Sequence, residues 1–168
     1  MPARFAINGF GRIGRLILRS LFEQAYSDIE IVAINDSGSL EGNALLLQRD
    51  SIHGSFDPQV LVEDKKMCIS GHSIEFFSDR NPANLPWKRL NVDVVLECTG
   101  KFTSRDLASV HLGAGAKKVL VSAPAKDADK TIVYGVNHSL LRATDVIVSN
   151  SSCTTNCLAP VAYVLNNA

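Results

Sequence analysis

A doubly wound α/β fold on a parallel sheet, with a small antiparallel insertion, is the architecture the sequence predicts, and three observations predict it. Near the N-terminus a short strand, Arg4-Phe5-Ala6-Ile7-Asn8, runs straight into a glycine turn and an amphipathic helix. A second strand, Ile29-Glu30-Ile31-Val32-Ala33-Ile34-Asn35, is rich in β-branched residues and ends on Asp36. A third stretch, Val92-Asp93-Val94-Val95-Leu96-Glu97-Cys98, is nearly continuous in apolar residues, as a strand is when helices cover both of its faces. The 168 residues suffice for one domain with a proper core, or one domain and the beginning of another.

Composition excludes several classes. Hydrophobic residues make up 46% and charged residues 20%, the balance of an ordinary soluble globular protein. Seventeen basic residues cancel seventeen acidic ones, so the chain has no electrostatic call for nucleic acid or an anionic membrane. No apolar run approaches a membrane span, and Met1-Pro2-Ala3-Arg4 leads into a strand rather than a signal peptide. Cys68, Cys98, Cys153 and Cys157 form neither a disulfide framework nor a Cys-x-x-Cys metal pattern, which suits a reducing cytoplasm and no metal.

The glycine turn is Gly9-Phe10-Gly11-Arg12-Ile13-Gly14, followed by a helix over Arg15–Gln24 with Leu16, Ile17, Leu21 and Phe22 apolar. In a dinucleotide site Gly9 permits the tight turn, Gly11 lets a pyrophosphate approach the backbone, and Gly14 lets helix and strand pack. Asp36 stands about 20 residues on, where a carboxylate accepts the ribose hydroxyls; on its own it is also a common turn starter before Ser37-Gly38. Gly42–Arg49 reads as helix and Asp50–Phe56 as loop, with His53 a surface residue. From Gln59 to Phe77 short apolar alternations between polar turns predict antiparallel hairpins, with Cys68 in a strand and His72 at a turn, both structural. Arg80 lies in a loop and Trp87 is read as a packing residue. Thr99-Gly100 opens the C-terminal end of the third strand, the end where such sheets bind ligands. Beyond it come a helix over Ser104–Leu112, a strand over Lys118–Ser122, a short strand and turn over Ile132–His138, a strand over Asp145–Val148, and a helix over Ala159–Asn167.

Before that last helix lies Ser149-Asn150-Ser151-Ser152-Cys153-Thr154-Thr155-Asn156-Cys157. A thiol at a helix start faces unpaired N–H groups and the positive end of the macrodipole, and both favour thiolate, the nucleophilic form. A lone cysteine is more often a small core hydrophobe. Flanking serines, threonines and asparagines are a poor lining for a core, however, so Cys153 is the candidate nucleophile.

The run 149–160 resembles the active-site signature of the phosphorylating, NAD-dependent glyceraldehyde-3-phosphate dehydrogenases. Leu46–Gly54, Leu85-Pro86-Trp87, Ser122–Asp127 and Ile132–His138 are also similar to that family, while Ser37–Ala44 departs from it. The resemblance implies a Rossmann-type dinucleotide-binding domain over residues 1–150 and, over 151–168, the first helix of an α+β catalytic domain. NAD would be held by Gly9, Gly11, Arg12, Ile13, Asp36, Arg80, Thr99, Gly100, Phe102 and Ser122, with Arg80 and Phe102 toward adenine and Ser122 toward nicotinamide. Cys153 would attack glyceraldehyde 3-phosphate and form a thioester that inorganic phosphate displaces, with Ser152 and Thr154 close to substrate. Glycolysis, a cytoplasmic location and a homotetramer are implied as well. The family's catalytic base matches none of His53, His72, His111 or His138 and falls after Ala168, so the chain is expected to be a fragment. Erythrose-4-phosphate dehydrogenase and an inactive NAD-binding module are the alternatives.

Overall fold

The computed structural model describes residues 1–24 and 26–168. Chain order begins with β1 (Ala3–Asn8), α1 (Arg12–Glu23), β2 (Ile29–Asn35) and α2 (Leu40–Gln48). A two-residue ladder, β3 (Arg49–Asp50) with β4 (Gly54–Ser55), precedes the insertion β5 (Val60–Glu63), β6 (Lys66–Ile69) and β7 (His72–Phe77). Then follow β8 (Val94–Glu97), α3 (Arg105–Ala108), α4 (Val110–Gly113), β9 (Lys118–Val121), β10 (Lys130–Thr131), β11 (Ile147–Ser149) and α5 (Cys153–Asn167).

Among the described residues one sheet has the order β10-β11-β9-β8-β1-β2-β7-β6-β5. Every neighbouring pair from β10 to β7 is parallel, and β7-β6-β5 closes the edge as antiparallel hairpins. The expected fold class holds. From β1 the chain moves to β2 on one side and later to β8 on the other, so the order reverses between β1 and β8. In open α/β sheets a crevice forms at such a reversal, outside the C-terminal strand ends.

Side-chain alternation explains the two wound faces. Ile7, Ile34 and Leu96 pack with Phe10, Leu18, Leu47 and Phe56 on one face. Ala6, Ala33 and Val95 pack with Trp87, Leu90 and Val92 on the other. A register shift between Phe5 and Ala6 gives β2 one extra residue there, which places Val32 beside Ala33 in the second cluster. Trp87 is fully buried, as its reading as a packing residue requires.

Several element bounds differ from expectation, each for a local reason. The first helix begins at Arg12 rather than Arg15, because the residues between Gly11 and Gly14 already take helical geometry. The second begins at Leu40, where Ser39 Oγ accepts from Gly42 N at 3.1 Å. The loop 50–56 carries the β3–β4 ladder and is fastened by buried Arg19, whose Nη1 and Nη2 donate to Gly54 O and Ser55 O at 3.0 Å. β7 is not only a hairpin arm but also a parallel neighbour of β2, and His72 begins that strand. The helix expected over Ser104–Leu112 is two short helices that meet at Ser109. Of the short strand and turn expected over Ile132–His138, the turn is there, at Gly135 with φ +85°, while the strand lies earlier, at Lys130–Thr131. The last helix starts six residues early, at Cys153, and carries Pro160 inside it.

The β10–β11 edge depends on Asp129. Its Oδ2 accepts from Val146 N and Ile147 N, both at 2.9 Å, and its other oxygen pairs with Arg105 of α3. The Ile147 and Val146 N–H groups, with Arg105 adding to them, hold the Asp129 carboxyl down at about 2. Folding lowers this pKa, so the stability it contributes is complete above about pH 4 and drains away as the pH falls toward that of the folded carboxyl. Asp129→Asn is expected to lower stability at neutral pH by about 1 kcal/mol. Urea midpoints between neutral and acid pH are expected to fall less steeply in the variant than in the wild type.

Candidate functional site

Among the clefts at the C-terminal ends of the strands, two share one wall. The first, about 270 Å³, is lined by residues that include Gly9, Gly11, Asp36, Arg80, Thr99 and Phe102. These come from the ends of β1, β2 and β8 and from the loops after β7 and β8, so one crevice unites six of the expected cofactor residues. The second cleft, about 390 Å³, is lined by Ile13, Ile17, Leu96, Cys98, Leu120, Ser122, Asn150, Ser151, Cys153 and Asn156. Cys98 lines both. Ile13 and Ser122 therefore stand with Cys153 rather than with Asp36.

The turn after β1 is built by close backbone approach. Gly9 has φ +92°, and a Cβ there would lie 2.7 Å from Thr99 N. A Cβ at Gly14 would lie 2.4 Å from Gly9 O, which is why α1 can press against the end of β1. At Gly11 a Cβ would meet nothing within 4 Å, so that edge stays open to a ligand. α1 has neither a side-chain N-cap nor an acidic residue in its first turn, leaving its leading N–H groups for an anion.

Asp36 is fixed rather than free. Its Oδ2 accepts from Phe10 N at 2.8 Å and its Oδ1 from Gly38 N at 2.8 Å, with Asn43 Nδ2 at 3.3 Å. The carboxylate thus ties the end of β2 to the glycine turn while lining the cleft. Arg12 reaches the other way, its Nη1 lying 3.4 Å from Asp50 Oδ2. Gly100 lines neither cleft but continues the strand end at φ +70°.

Cys153 is the first residue of α5 and is exposed. Ser152 caps the helix, its Oγ accepting from Thr155 N at 3.0 Å. The chain enters through Ser151 at φ +61°, a left-handed conformation costly for a non-glycine residue and held here by Ser149 Oγ, which accepts from Ser151 N at 3.1 Å. Thr154 is exposed beside the thiol. Among the described residues no histidine lines this cleft. Burial pushes the Cys98 thiol up to about 11, which leaves it a neutral wall between the clefts.

Sequence reasoning missed Asn8, Asn35 and Asp79 in the first cleft and Asn150, Ser151 and Asn156 as walls of the second. Asn35 Nδ2 donates to Asn8 Oδ1 at 2.7 Å and to Asp79 O at 2.9 Å, stitching three cleft walls together. An asparagine closing each of two adjacent buried strands is the signal that was available.

A family profile described as "Glyceraldehyde 3-phosphate dehydrogenase, NAD binding domain" matches residues 3–105. The chain belongs to this family. It is 59% identical to a glyceraldehyde-3-phosphate dehydrogenase of Zymomonas mobilis over 98% of its own length and 49% of that relative's. Proteins of the same name from Pseudomonas aeruginosa and Xanthobacter flavus are each 58% identical, over 99% and 100% of this chain and 50% of theirs. The chain spans about half the length of the curated relatives it matches. In this dehydrogenase-family domain, the matched segment takes in the glycine turn, Asp36, Arg80, Thr99 and Phe102.

Two expectations follow from the geometry. Gly14→Ala should destabilise by about 1–3 kcal/mol through overpacking, whereas Gly11→Ala should change stability by less than about 0.5 kcal/mol yet weaken NAD binding; urea unfolding and calorimetry read the two effects. Brief iodoacetamide labelling at neutral pH should modify exposed Cys153 ahead of Cys68 and leave Cys98 for last, as peptide mass spectrometry would record.

Proposed function

We propose that this chain is the NAD-binding half of a phosphorylating glyceraldehyde-3-phosphate dehydrogenase and carries its nucleophile, Cys153. The observation that carries the reading is the shared Cys98 wall, which brings the thiol cleft to the end of the dinucleotide cleft. Residues 1–150 act as the dinucleotide domain and 151–168 as the first helix of a catalytic domain.

The residues present fit the cofactor. Open space at Gly11 and the uncapped N-terminus of α1 suit a pyrophosphate, and Asp36 presents a carboxylate to the ribose. Arg80, Phe102 and Thr99 would hold the adenine end and Ile13 and Ser122 the nicotinamide end beside Cys153, with Gly100 shaping the strand end behind Thr99. NAD supplies the hydride acceptor when bound.

Cys153 sulfur adds to the aldehyde carbon of glyceraldehyde 3-phosphate, giving a hemithioacetal. The Cys153 N–H, at the first position of α5 and so without an intrahelical partner, steadies the developing oxyanion. Loss of hydride leaves a thioester on Cys153, and inorganic phosphate displaces it to give 1,3-bisphosphoglycerate. Ser152 and Thr154 flank the sulfur for contact with substrate and the attacking phosphate. With no histidine in the thiol cleft among the described residues, the proton acceptor is assigned to the part of the relatives' length that this chain does not span.

Calorimetry at fixed salt should find NAD bound more tightly than NADP, because the Asp36 charge opposes a 2′-phosphate, and Asp36→Ala should narrow the gap. With glyceraldehyde 3-phosphate and inorganic phosphate, the 168-residue chain should form NADH about 10²–10⁴-fold more slowly than a chain of the relatives' full length, the usual contribution of a general base. Equal affinity for the two cofactors, or matching turnover, would defeat the assignment.

A further inference from the structure

Behind the dinucleotide cleft lies a buried polar chain, Glu97–His111–Trp87, none of whose three members lines either cleft. Glu97 ends β8 and is 1% exposed; His111 of α4 and Trp87 are fully buried. Glu97 Oε1 accepts from Thr99 N at 2.8 Å and also from Thr99 Oγ1. Its Oε2 accepts from Asn8 Nδ2 at 2.6 Å and lies 3.0 Å from His111 Nε2. On the far side, Trp87 Nε1 donates to His111 Nδ1 at 3.1 Å.

The partners fix the chemistry of each group. An indole N–H can only donate, so His111 Nδ1 must offer a lone pair and the ring proton sits on Nε2, aimed at Glu97. Three N–H groups and the Thr99 hydroxyl then converge on the two oxygens of Glu97. A carboxylate satisfies all four by accepting, whereas an amide, in either orientation, would set a donor against an N–H that can only donate. Burial raises the cost of any such mismatch.

Both ends of this chain bear on the cleft. Thr99 and Asn8 line it, and the ring of Phe102, another lining residue, stands edge-on to His111 with centroids 5.9 Å apart. We infer that Glu97 and His111 are positioning residues for dinucleotide binding: a buried carboxyl group, oriented from behind by the Trp87–His111 hydrogen bond, that sets the floor of the cleft at Thr99, Asn8 and Phe102. The inference rests on the reading of that cleft as the NAD site.

The test uses Glu97→Gln, close in shape but presenting donors to donors, and the indole N–H signal of Trp87, the single tryptophan in the chain. By calorimetry the variant should bind NAD about tenfold or more weakly, the scale of one charge-assisted hydrogen bond turned into a mismatch. In ¹⁵N-labelled wild-type chain, NAD should shift the Trp87 indole signal, although Trp87 lines neither cleft; in Glu97→Gln at saturating NAD it should not move. A network that only props up the fold would leave that signal still. Nitrogen shifts of His111 should report a proton on Nε2 and none on Nδ1. If Glu97→Gln fails to fold, Trp87→Phe releases the imidazole without touching the cleft and should weaken NAD several-fold. Unchanged NAD affinity in whichever variant folds, or a proton on Nδ1, overturns the inference. A folded wild-type chain with no NAD affinity overturns the reading of the cleft instead.

Discussion

Backbone pressed against backbone at Gly9 is the constraint on which the rest of the molecule depends. β1 is the central strand, in register with β2 on one side and β8 on the other. Its end turns beneath Thr99 of the β8 loop and against Gly14 of α1, with no room at either contact for a methyl group. The walls of the dinucleotide cleft are extensions of these three strands, so the spacing at Gly9 is also the spacing of the cleft. A side chain there would do more than strain a turn; it would part β1 from β8 and separate Asn8 from Glu97.

Much of this was legible in the residues. β2 runs over Ile29–Asn35 as read, because seven consecutive residues of strand character are bounded by turn formers on both sides. Glycine spacing foretold the turn, its close contacts and the open edge at Gly11. What escaped reading depends on partners distant in sequence. Asn8 looks like the last residue of a strand until Glu97, 89 positions away, arrives beside it. His111 carried no periodic signal, and its burial follows from Trp87 and Glu97. The early start of α5 was hidden by seven small polar residues that serve equally well as loop or first turn, and only the Ser152 cap decides between them.

The two thiols in the shared region differ in environment. Cys98 forms a wall, and the burial that raises its pKa withholds the thiolate form. Cys153, at the head of a helix and open to solvent, has access that Cys98 lacks. Two identical side chains in one cleft therefore carry opposite assignments, and the sheet makes the distinction: one ends inside it, the other begins just beyond it.

Helix α5 buries none of its fifteen residues, and Leu158, Val161, Val164 and Leu165 stand in water. Isolated helices of about this length are marginal, since each must overcome the unfavourable nucleation step with little beyond its own hydrogen bonds. Pro160 removes one of those bonds from the interior. The cap at Ser152 and the Asn156 Nδ2 bond to Asn150 O, at 2.7 Å, act only on the first turn. Helix–coil cooperativity then ties the thiol to the far end of α5: whatever shields those aliphatic side chains lengthens the segment that holds Cys153 in place, and so the order at Cys153 is set by solvation up to about three turns away.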